Sequence, residues 1–405
     1  MIHKHLIILF AFMISTSFSF AETIFGSNGI GFLDRNEGIR SVGMAGAGLS
    51  LTDSAYFHFA NPAGWYNVGK TRYTISTTLV RSYASDETGT DDLDEFLFPG
   101  MALSVPIYHN YALGLYYKPV SDYNYLLIGQ SEWSPKYPID DSDTLSYKDR
   151  LQGEGGLSKM GVNLATKFGS TSFGIASDFY LGKLDNLRII DFDDDLFSLS
   201  GRSERRELSG FGIRLGLLSD LPGNTSIAAT VSLPAKLNVS TVIQYEAGDS
   251  LKFDDLDYEL PLEFGIGFSK TGNRLRGVVD AGYSFWEETA DSWDSYSDYI
   301  NTSRLSIGVE RLPLRGALDP WYEKWLYRAG VSYDEHYIEL NDNKLTIFRV
   351  AAGAGIPVKS GVGILEFAFT LDFRGDESTI GAKETVVGIN VGWSSMEKWF
   401  ERKQR

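Results

Sequence analysis

The sequence of 405 residues contains no cysteine and only five histidines. Without cysteine it has no disulfide framework, which excludes a small cross-linked secreted scaffold. Basic residues are outnumbered by acidic ones, 37 to 53, and the resulting net charge of -16 argues against nucleic-acid binding and against a basic membrane-surface module. Beyond the first 21 residues, no apolar run is long enough for a transmembrane helix, so a helical membrane protein is excluded as well.

The first 21 residues have the pattern of a secretory leader. Lys4 precedes an apolar run that ends near Phe20, and Ser19 and Ala21 place small residues at the two positions that a signal peptidase reads. We expect a signal peptide over residues 1–21, cleaved after Ala21. The alternative is a retained helical anchor, which the shortness of the run and the lack of stop-transfer charges disfavour.

Glycine and aromatic residues are abundant, and in many segments apolar residues alternate with polar ones at a period of two. Such alternation is typical of β-strands. One apolar face consists of Leu365, Phe367, Phe369, Leu371 and Phe373, while the opposite face is mostly polar. A soluble sandwich would carry more lysine and threonine on its solvated face. Apolar residues outside, with polar residues and glycine inside, indicate a transmembrane β-barrel.

The alternation predicts fourteen strands, an even number that fits a single-chain bacterial barrel. The fold class is therefore all-β, a 14-stranded antiparallel transmembrane β-barrel over residues 69–395. Its connections alternate long and short, like outer loops and periplasmic turns, except that 313–324 is long where a short turn is due. The predicted strands are 71–83, 96–108, 110–126, 156–168, 171–188, 205–219, 224–243, 258–270, 274–286, 302–312, 325–338, 345–357, 362–374 and 384–394.

Several predicted outer loops are acidic, and residues 84–95 contain Asp91, Asp92, Asp94 and Glu95. Clustered carboxylates are ligands of divalent cations. We favour simple solvation of exposed loops, because no run has the spacing of an EF-hand loop. We therefore expect neither a metal nor a cofactor.

The stretch Gly38–Trp65 differs from the predicted strands, since it is rich in glycine, alanine and serine. Small side chains allow a compact segment to fit inside a narrow lumen. We therefore predict an N-terminal plug, or hatch, over residues 22–68. Pro62 restricts its own backbone and that of Asn61, so this pair would end the plug before the first strand.

No enzyme signature is visible, neither a G-x-S-x-G elbow nor an H-E-x-x-H helix. After the leader there are three histidines, His58, His109 and His336, and they fall in the plug, at a periplasmic turn and near an outer loop. They are too scattered for an obvious metal site or triad. We expect no enzyme, because an outer-membrane lipase would need His336 to pair with a nearby serine.

Charged residues fall on the predicted inner face of several strands. Since an unpaired charge in a plugged lumen is costly, we expect pairs across strands or to the plug. We expect Glu263 to pair with Arg276. We likewise expect Arg349 to pair with Glu366. The alternative is a charge-lined path for a carboxylate head group. The lumen charges considered are Arg214, Glu263, Arg276, Asp280, Glu310, Arg328, Arg349 and Glu366.

With the barrel predicted, the stretch at Gly38–Trp65 resembles the plug of the FadL/TodX family, outer-membrane transporters of long-chain fatty acids and aromatic hydrocarbons. The likeness covers nearly the whole mature chain and implies a fourteen-stranded monomer in the outer membrane of a Gram-negative bacterium. The matching pieces are Gly38, Gly43, Gly46, Ala47, Asp53, Asn61-Pro62-Ala63, Val105-Pro106-Ile107, Ser232–Lys236, Leu260-Pro261, Asp280–Trp286 and Tyr327–Asp334.

The resemblance implies passive transport of a hydrophobic small molecule, which would shift the plug and leave sideways into outer-membrane lipid. Members of the family have a kink in the third strand that forms this lateral opening, and Lys118, Pro119 and Asp122 stand there. Proline has no N–H to donate to the strand ladder, so it can also mark an ordinary β-bulge, which is the alternative to a lateral opening. The implied plug and ligand residues, any of which could instead only pack against the wall, are Glu22, Phe25, Phe57, Phe59, Asn61, Pro62, Ala63 and Trp65.

Two departures from the family leave an alternative open. The predicted outer loops are shorter than those that build the family's capture groove, and residues 396–405 form a basic, amphipathic tail expected in the periplasm. Such tails resemble those of PorV-like barrels, which act in protein secretion or surface attachment. Transport is the favoured interpretation. The expected partners are a hydrophobic ligand, outer-membrane lipid and the barrel assembly machinery, without nucleic acid.

Overall fold

The computed structural model describes residues 23–51, 56–66, 70–86, 89–108, 110–133, 145–192, 200–246, 248–292, 299–314, 316, 318–358 and 363–397. The predicted leader, Glu22, Asp53, His109 and the tail from residue 398 lie outside these ranges. Within them, no helix is both long and apolar enough to cross a membrane.

The described residues are dominated by β-strands. Helical structure is limited to two single-turn α-helices, α1 (Ile39–Val42) and α2 (Glu377–Ile380), and to 3₁₀ turns at Pro62–Trp65, Glu287–Ser292 and Trp321–Lys324. The strands are β1 (Phe32–Leu33), β2 (Thr71–Asp86), β3 (Thr90–Tyr108), β4 (Tyr111–Pro119), β5 (Ser121–Asp122), β6 (Tyr125–Trp133), β7 (Leu145–Phe168), β8 (Thr171–Phe192), β9 (Ser200–Leu221), β10 (Thr225–Ser232), β11 (Ala235–Tyr245), β12 (Ser250–Leu260), β13 (Glu263–Thr271), β14 (Leu275–Ser284), β15 (Thr302–Arg311), β16 (Leu326–Leu340), β17 (Asn343–Pro357), β18 (Gly363–Asp376) and β19 (Ala382–Glu397).

All strands except β1 and β5 form one closed antiparallel barrel. The barrel closes where β19 pairs with β2, from Ala382 opposite Asp86 to Glu397 opposite Thr71. Three wall strands consist of two segments each: β4 with β6, β10 with β11, and β12 with β13. Counted in this way, the barrel has fourteen strands, which confirms the number predicted from alternation.

Each of the three divided wall strands is interrupted at or beside a proline, which cannot donate to a ladder. The interruptions at Pro234 and Pro261 face each other, because Ser232 pairs with Glu263 on one side and Ala235 pairs with Leu260 on the other. The wall therefore stays continuous across them. The interruption after Pro119 has no such counterpart.

The wall strands have the predicted apolar outer face and polar inner face. On β18, Phe367, Phe369 and Phe373 are exposed on the outer surface, whereas Glu366 and Asp372 are buried inside. Successive side chains of a strand point to opposite faces, so the apolar set lies on one surface throughout. The outer surface is thus the apolar band of a membrane barrel.

The predicted loops are too long, because strands continue beyond the apolar alternation. Asp91, Asp92, Asp94 and Glu95 belong to β3, which pairs with β2 as far as Thr90. Backbone ladders persist in water, where polar side chains carry no membrane signature, so the alternation could not show these ends. A tight turn also replaces the predicted loop 339–344, with Asn341 and Asp342 in the left-handed region.

The long connection after β15 is tied to the barrel wall. Glu323 of its 3₁₀ turn accepts hydrogen bonds from Arg274 and Arg311. Beside it the ring of Trp321 packs against that of Trp325 at 4.8 Å. Aromatic rings of this kind are typical of a membrane interface.

Residues 23–51 and 56–66, here called the inner segment, pack against inward-facing side chains of the wall. Wall glycines permit a close approach, as two of them show. A Cβ atom at Gly174 would lie 2.2 Å from the carbonyl carbon of Pro62, and one at Gly216 would lie 2.4 Å from Oδ1 of Asn61. Any larger side chain at these two positions would displace the inner segment.

Candidate functional site

The wall has a gap beside the interrupted third strand. β4 pairs with β3 only from Tyr117 opposite Met101 to Tyr111 opposite Tyr108. Further along, residues 90–100 of β3 pair with β2, and β6 pairs with β7. Within the described part of the chain, no ladder joins this half of β3 to β6. The gap lies toward the end of the barrel that carries the longer connections.

The inner segment fills part of this gap. The residues that flank β5 keep backbone hydrogen bonds to β7, from Val120 at 2.7 Å and Tyr123 at 2.9 Å. On its other side, where β3 would be expected, β5 pairs with β1, with Asp122 opposite Phe32 and Ser121 opposite Leu33. The hydroxyl of Ser121 also donates to the carbonyl of Ile30 at 2.6 Å. The third strand therefore stays beside β7 but has β1 of the inner segment, in place of β3, on its other side.

Residues 23–36 of the inner segment, the strand-paired half, are also held by Tyr337. Its hydroxyl accepts from the backbone N–H of Ile30 at 3.1 Å and donates to the carbonyl of Gly31 at 2.8 Å. The ring stacks on Trp286 with centroids 4.3 Å apart. Buried apolar side chains surround this contact and fill the loop end of the lumen.

Residues 38–51 and 56–66, the anchored half, bind the wall through buried ion pairs. Arg40 donates to Glu310 through Nε at 3.0 Å and Nη2 at 2.5 Å. Arg328 donates to Glu310 at 2.9 Å and to Glu366 at 2.5 Å. The hydroxyl of Tyr56 accepts from the same guanidinium at 2.7 Å. These charges neutralise each other across the boundary between inner segment and wall.

A second anchor involves Arg214, which lies buried on β9. Its guanidinium donates to the carbonyl of Phe59, to the hydroxyl of Tyr116 at 2.6 Å and to Asp178 at 3.2 Å. It thus joins the inner segment to β4 and β8. Asp280 has a similar role on β14, since it accepts from the backbone N–H of Gly48 at 2.6 Å.

The predicted pair of Glu263 and Arg276 is wrong. The two residues lie at opposite ends of one hairpin, because Glu263 pairs with Ser284 and Arg276 pairs with Thr271. Glu263 accepts from the hydroxyl of Ser284 at 3.1 Å, and Arg276 lies 3.4 Å from Glu310.

The predicted pair of Arg349 and Glu366 is wrong for the same reason. Arg349 stands opposite Asp372 in the ladder of β17 and β18, whereas Glu366 stands opposite Gly355. Arg349 accordingly binds Asp372 through two bonds of 2.6 Å. Which charges meet depends on the register of the ladder, meaning which residues of two strands stand opposite each other, and alternation does not reveal it.

The predicted plug aromatics pack together rather than around an open pocket. Trp65 lies 4.6 Å from the ring of Phe57 and 5.3 Å from that of Tyr116, and Phe59 joins the same buried cluster. Phe25 lies in another cluster nearer the loop end. These contacts account for the aromatics by packing, and a ligand role for them stays a prediction.

Asn61-Pro62-Ala63 forms the turn that the sequence indicates. The Asn61 side chain caps the 3₁₀ turn by accepting from the backbone N–H of Ala63 at 3.0 Å. Its amide also donates to the carbonyl of Leu49 at 2.8 Å. The turn therefore joins two stretches of the anchored half.

Lys118, next to the interruption, binds Glu37 of the inner segment. Burial by itself would raise the pKa of Glu37, but the positive charge of Lys118 outweighs it and the pKa is about 2. Burial lowers the pKa of His58 to about 4, against the opposing charge of Glu37. At neutral pH, Glu37 is therefore ionised and His58 neutral.

Two cavities lie between the inner segment and the wall. One of about 180 Å³, the wall-gap cavity, is lined by Phe98, Pro99 and Pro119 at the gap and by Phe32 of the inner segment. The other, of about 130 Å³, is lined mainly by charged and polar groups, including His58, Arg214, Glu263 and Asp280. Arg35 borders both cavities.

His336 lies on the inner side of β16 and has a packing role. Its ring stacks on Phe32 with centroids 5.2 Å apart, and Nδ1 accepts from the backbone N–H of Ile338 at 3.3 Å. Across the described ranges His336 has no serine partner, and no group of three histidine or acidic side chains could hold a metal ion.

Sequence reasoning missed three residues that the structure places at this site: Arg40, Tyr337 and Glu95. Arg40 could have been identified from the sequence, because no other lysine or arginine occurs in Gly38–Trp65. Tyr337 resembles other residues of an alternating segment, and Glu95 was placed in an acidic outer loop. Only the folded chain brings them to the inner segment and the gap.

The barrel is similar to solved structures of one class. A FadL homologue from Pseudomonas aeruginosa has a TM-score of 0.62 at 15% identity, over 91% of this chain and 99% of that chain. The toluene transporter TbuX from Ralstonia pickettii has a TM-score of 0.55 at 14% identity, over 88% of this chain and 97% of that one. The toluene transporter TodX from P. putida has a TM-score of 0.54 at 15% identity, over 93% and 100%.

These likenesses define the fold as that of the FadL/TodX class of barrels and confirm the resemblance seen in the sequence. Within that class the family itself is shown by a match over residues 1–405: the chain belongs to the BamG family. The comparison with curated proteins gave no match.

Proposed function

We propose that the protein is an outer-membrane barrel of a Gram-negative bacterium that passes hydrophobic small molecules sideways through the gap in its wall. The observation that carries this proposal is the half of β3 that pairs with β2 but, among the described residues, has no ladder to β6. A cavity between Phe98, Pro99 and Pro119 adjoins it. An apolar molecule can pass through such a gap into the lipid without crossing the polar lumen. The solved relatives named as toluene transporters support the same class of ligand.

In this proposal the inner segment is the plug, and its strand-paired half is the gate. The pair of β1 with β5 blocks the gap from inside. Opening requires that these two residue pairs separate, together with the hydrogen bonds that Tyr337 and Ser121 form with the same half. The anchored half stays in place, because its ion pairs with the wall are buried. No energy source is needed for passive movement of this kind.

A disulfide lock tests the gate, since the chain has no cysteine of its own. Leu33 and Ser121 are direct ladder partners, and such neighbours lie within the range that a disulfide spans. We expect the double variant Leu33→Cys/Ser121→Cys to lose uptake of a labelled hydrophobic compound by intact cells when oxidised. Reduction should restore it.

Thr171→Cys/Ser219→Cys is the matched control, because it staples β8 to β9 away from the gap. We expect its oxidation to leave uptake unchanged. Full uptake by the locked variant would refute the gate. If deletion of the protein leaves uptake by the host unchanged, transport itself is refuted.

Membership in the BamG family favours a second function, as a partner of the barrel assembly machinery. The tightly packed loop end of the lumen fits a barrel that acts through its surface. Purification in mild detergent would test this role, with co-purified assembly components and depleted outer-membrane barrels as its expected signs. A secretion role of the PorV type would instead co-purify secretion components.

A further inference from the structure

The wall-gap cavity contains one set of charges that is already balanced. Arg349 binds Asp372 at 2.6 Å, while Arg374 lies 3.5 Å from Asp372 and 3.0 Å from Glu384. Two cations thus meet two carboxylates. This part of the lining needs no counter-ion.

The remaining charges of the cavity are not balanced. Asp34, Glu95 and Asp122 also line it, together with a single further cation, Arg35. Asp34 and Asp122 each accept one hydrogen bond from a backbone N–H two residues ahead. Arg35 forms no ion pair with any described residue. Three carboxylates against one guanidinium leave two negative formal charges in excess.

Glu95 shows most clearly that a partner is missing. Its side chain is only 8% exposed, and no described residue forms a hydrogen bond or ion pair with it. Phe96, the next residue of β3, is exposed on the outer face, so Glu95 points inward, where it lines the cavity. An ionised carboxylate that is buried without a partner is costly, so a cation bound beside Glu95 would stabilise its ionised form.

The lining also has an apolar part, beside uncharged polar residues such as Thr78 and Asn390. Phe32 and Leu33 of the inner segment face Leu97, Phe98 and Pro99 of the wall across the same space of about 180 Å³. A cavity of about 150 Å³ in another protein accommodates benzene. The cavity therefore suits one small apolar body that carries a positive charge at one end.

Building on the proposed function, we infer that the wall-gap cavity selects small hydrophobic amines. The ammonium group binds Glu95 and Asp122, and the apolar body lies between Phe32 and Phe98. Anionic amphiphiles of the same size are disfavoured, because their carboxylate would meet the uncompensated negative charges. The inference names the substrate class of the same gap.

Calorimetry on the purified full-length protein, with three six-carbon probes at neutral pH, tests this inference. We expect hexylamine, which is protonated, to bind at least tenfold more tightly than hexanol or hexanoate. Glu95→Gln should reduce this preference at least tenfold, and Asp122→Asn should reduce it in the same direction. Because Glu95→Gln keeps the shape and removes an unpaired charge, the barrel should show its normal heat-modifiable gel shift.

Glu263→Gln is the matched control, since it removes a lumen carboxylate from the other cavity and should keep the amine preference. Equal binding of hexanol and hexylamine, or an unchanged preference in Glu95→Gln, would overturn the inference. If the disulfide lock abolishes uptake but calorimetry shows no preference for the amine, the substrate class is refuted and transport stands. If the purified protein prefers the amine but deletion of the protein leaves uptake by the host unchanged, the amine site stands and transport is refuted.

Discussion

The two halves of the inner segment are held to the same barrel by different forces. The anchored half, residues 38–51 and 56–66, contributes Arg40 to a buried network with Glu310 and Arg328. The strand-paired half, residues 23–36, depends on backbone pairing, on a tyrosine hydroxyl and on aromatic packing.

The difference bears on the proposed gate, since the two halves would cost different amounts of free energy to displace. Separation of a buried ion pair leaves charges without partners, which is strongly unfavourable. A ladder of two residue pairs can separate and re-form at far lower cost, since each neutral hydrogen bond contributes only about 1 kcal/mol net. This contrast supports the proposed gate, because the half without buried ion pairs lies at the gap.

The largest effect is expected in the anchored half. Arg328→Met leaves Glu366 buried without its partner and Glu310 with fewer cations, which should cost about 3–5 kcal/mol of unfolding free energy. Urea unfolding of the folded barrel, followed by its gel shift, measures the loss. Arg188→Gln breaks an exposed pair with Asp149 and should have no measurable effect. Similar losses in both variants would remove the distinction between buried anchor and exposed pair.

An intermediate effect is expected in the strand-paired half. Tyr337→Phe leaves the backbone N–H of Ile30 buried without an acceptor, a cost of about 1–3 kcal/mol. Hydrogen exchange should increase at residues 28–33 and stay unchanged at residues 38–51. Tyr283→Phe, on the outer face of the barrel, is the control and should change neither. An equal increase in both halves would show that they open as one unit.

The smallest effect concerns pH. The pKa of His58 is about 4 in the folded chain, below its ordinary 6.5. As the pH is lowered, the imidazole therefore takes up its proton in the unfolded chain before it does so in the folded chain. Stability is therefore highest above pH 6.5 and decreases as the pH falls toward 4. His58 is half-buried and borders a cavity, which limits the change to about 1 kcal/mol. His58→Asn should flatten this part of the urea-midpoint profile, and an unaltered profile would exclude His58 as its source.

Much of the fold could be predicted, because alternation with a period of two depends only on neighbouring residues. The outward set of β18, with Phe367 and Phe369, was assigned correctly for this reason. Strand ends beyond the apolar band were missed, as at Asp91, since a polar strand in water has no distinctive pattern. The turn at Asn61 could be predicted because proline acts locally.

The candidate site could be predicted only in part. Pro119 marked the interruption, but nothing near it in the sequence named the partner of Ser121 or placed Glu95 beside Asp122. The partners of Arg349 and Glu366 were assigned wrongly, because a pairing depends on the register between two strands. Register is set by turns and by packing on both faces, which act together only in the folded chain.

The sequence by itself determined the fourteen strands, the membrane-facing surface and the low-bulk segment inside. Each is encoded by the periodicity or composition of one continuous stretch. Only the tertiary structure decided which charges meet and what fills the gap in the wall. Ser121 donates to Ile30, 91 positions earlier in the chain, and such a contact exists only once the closed barrel has brought the inner segment to its wall.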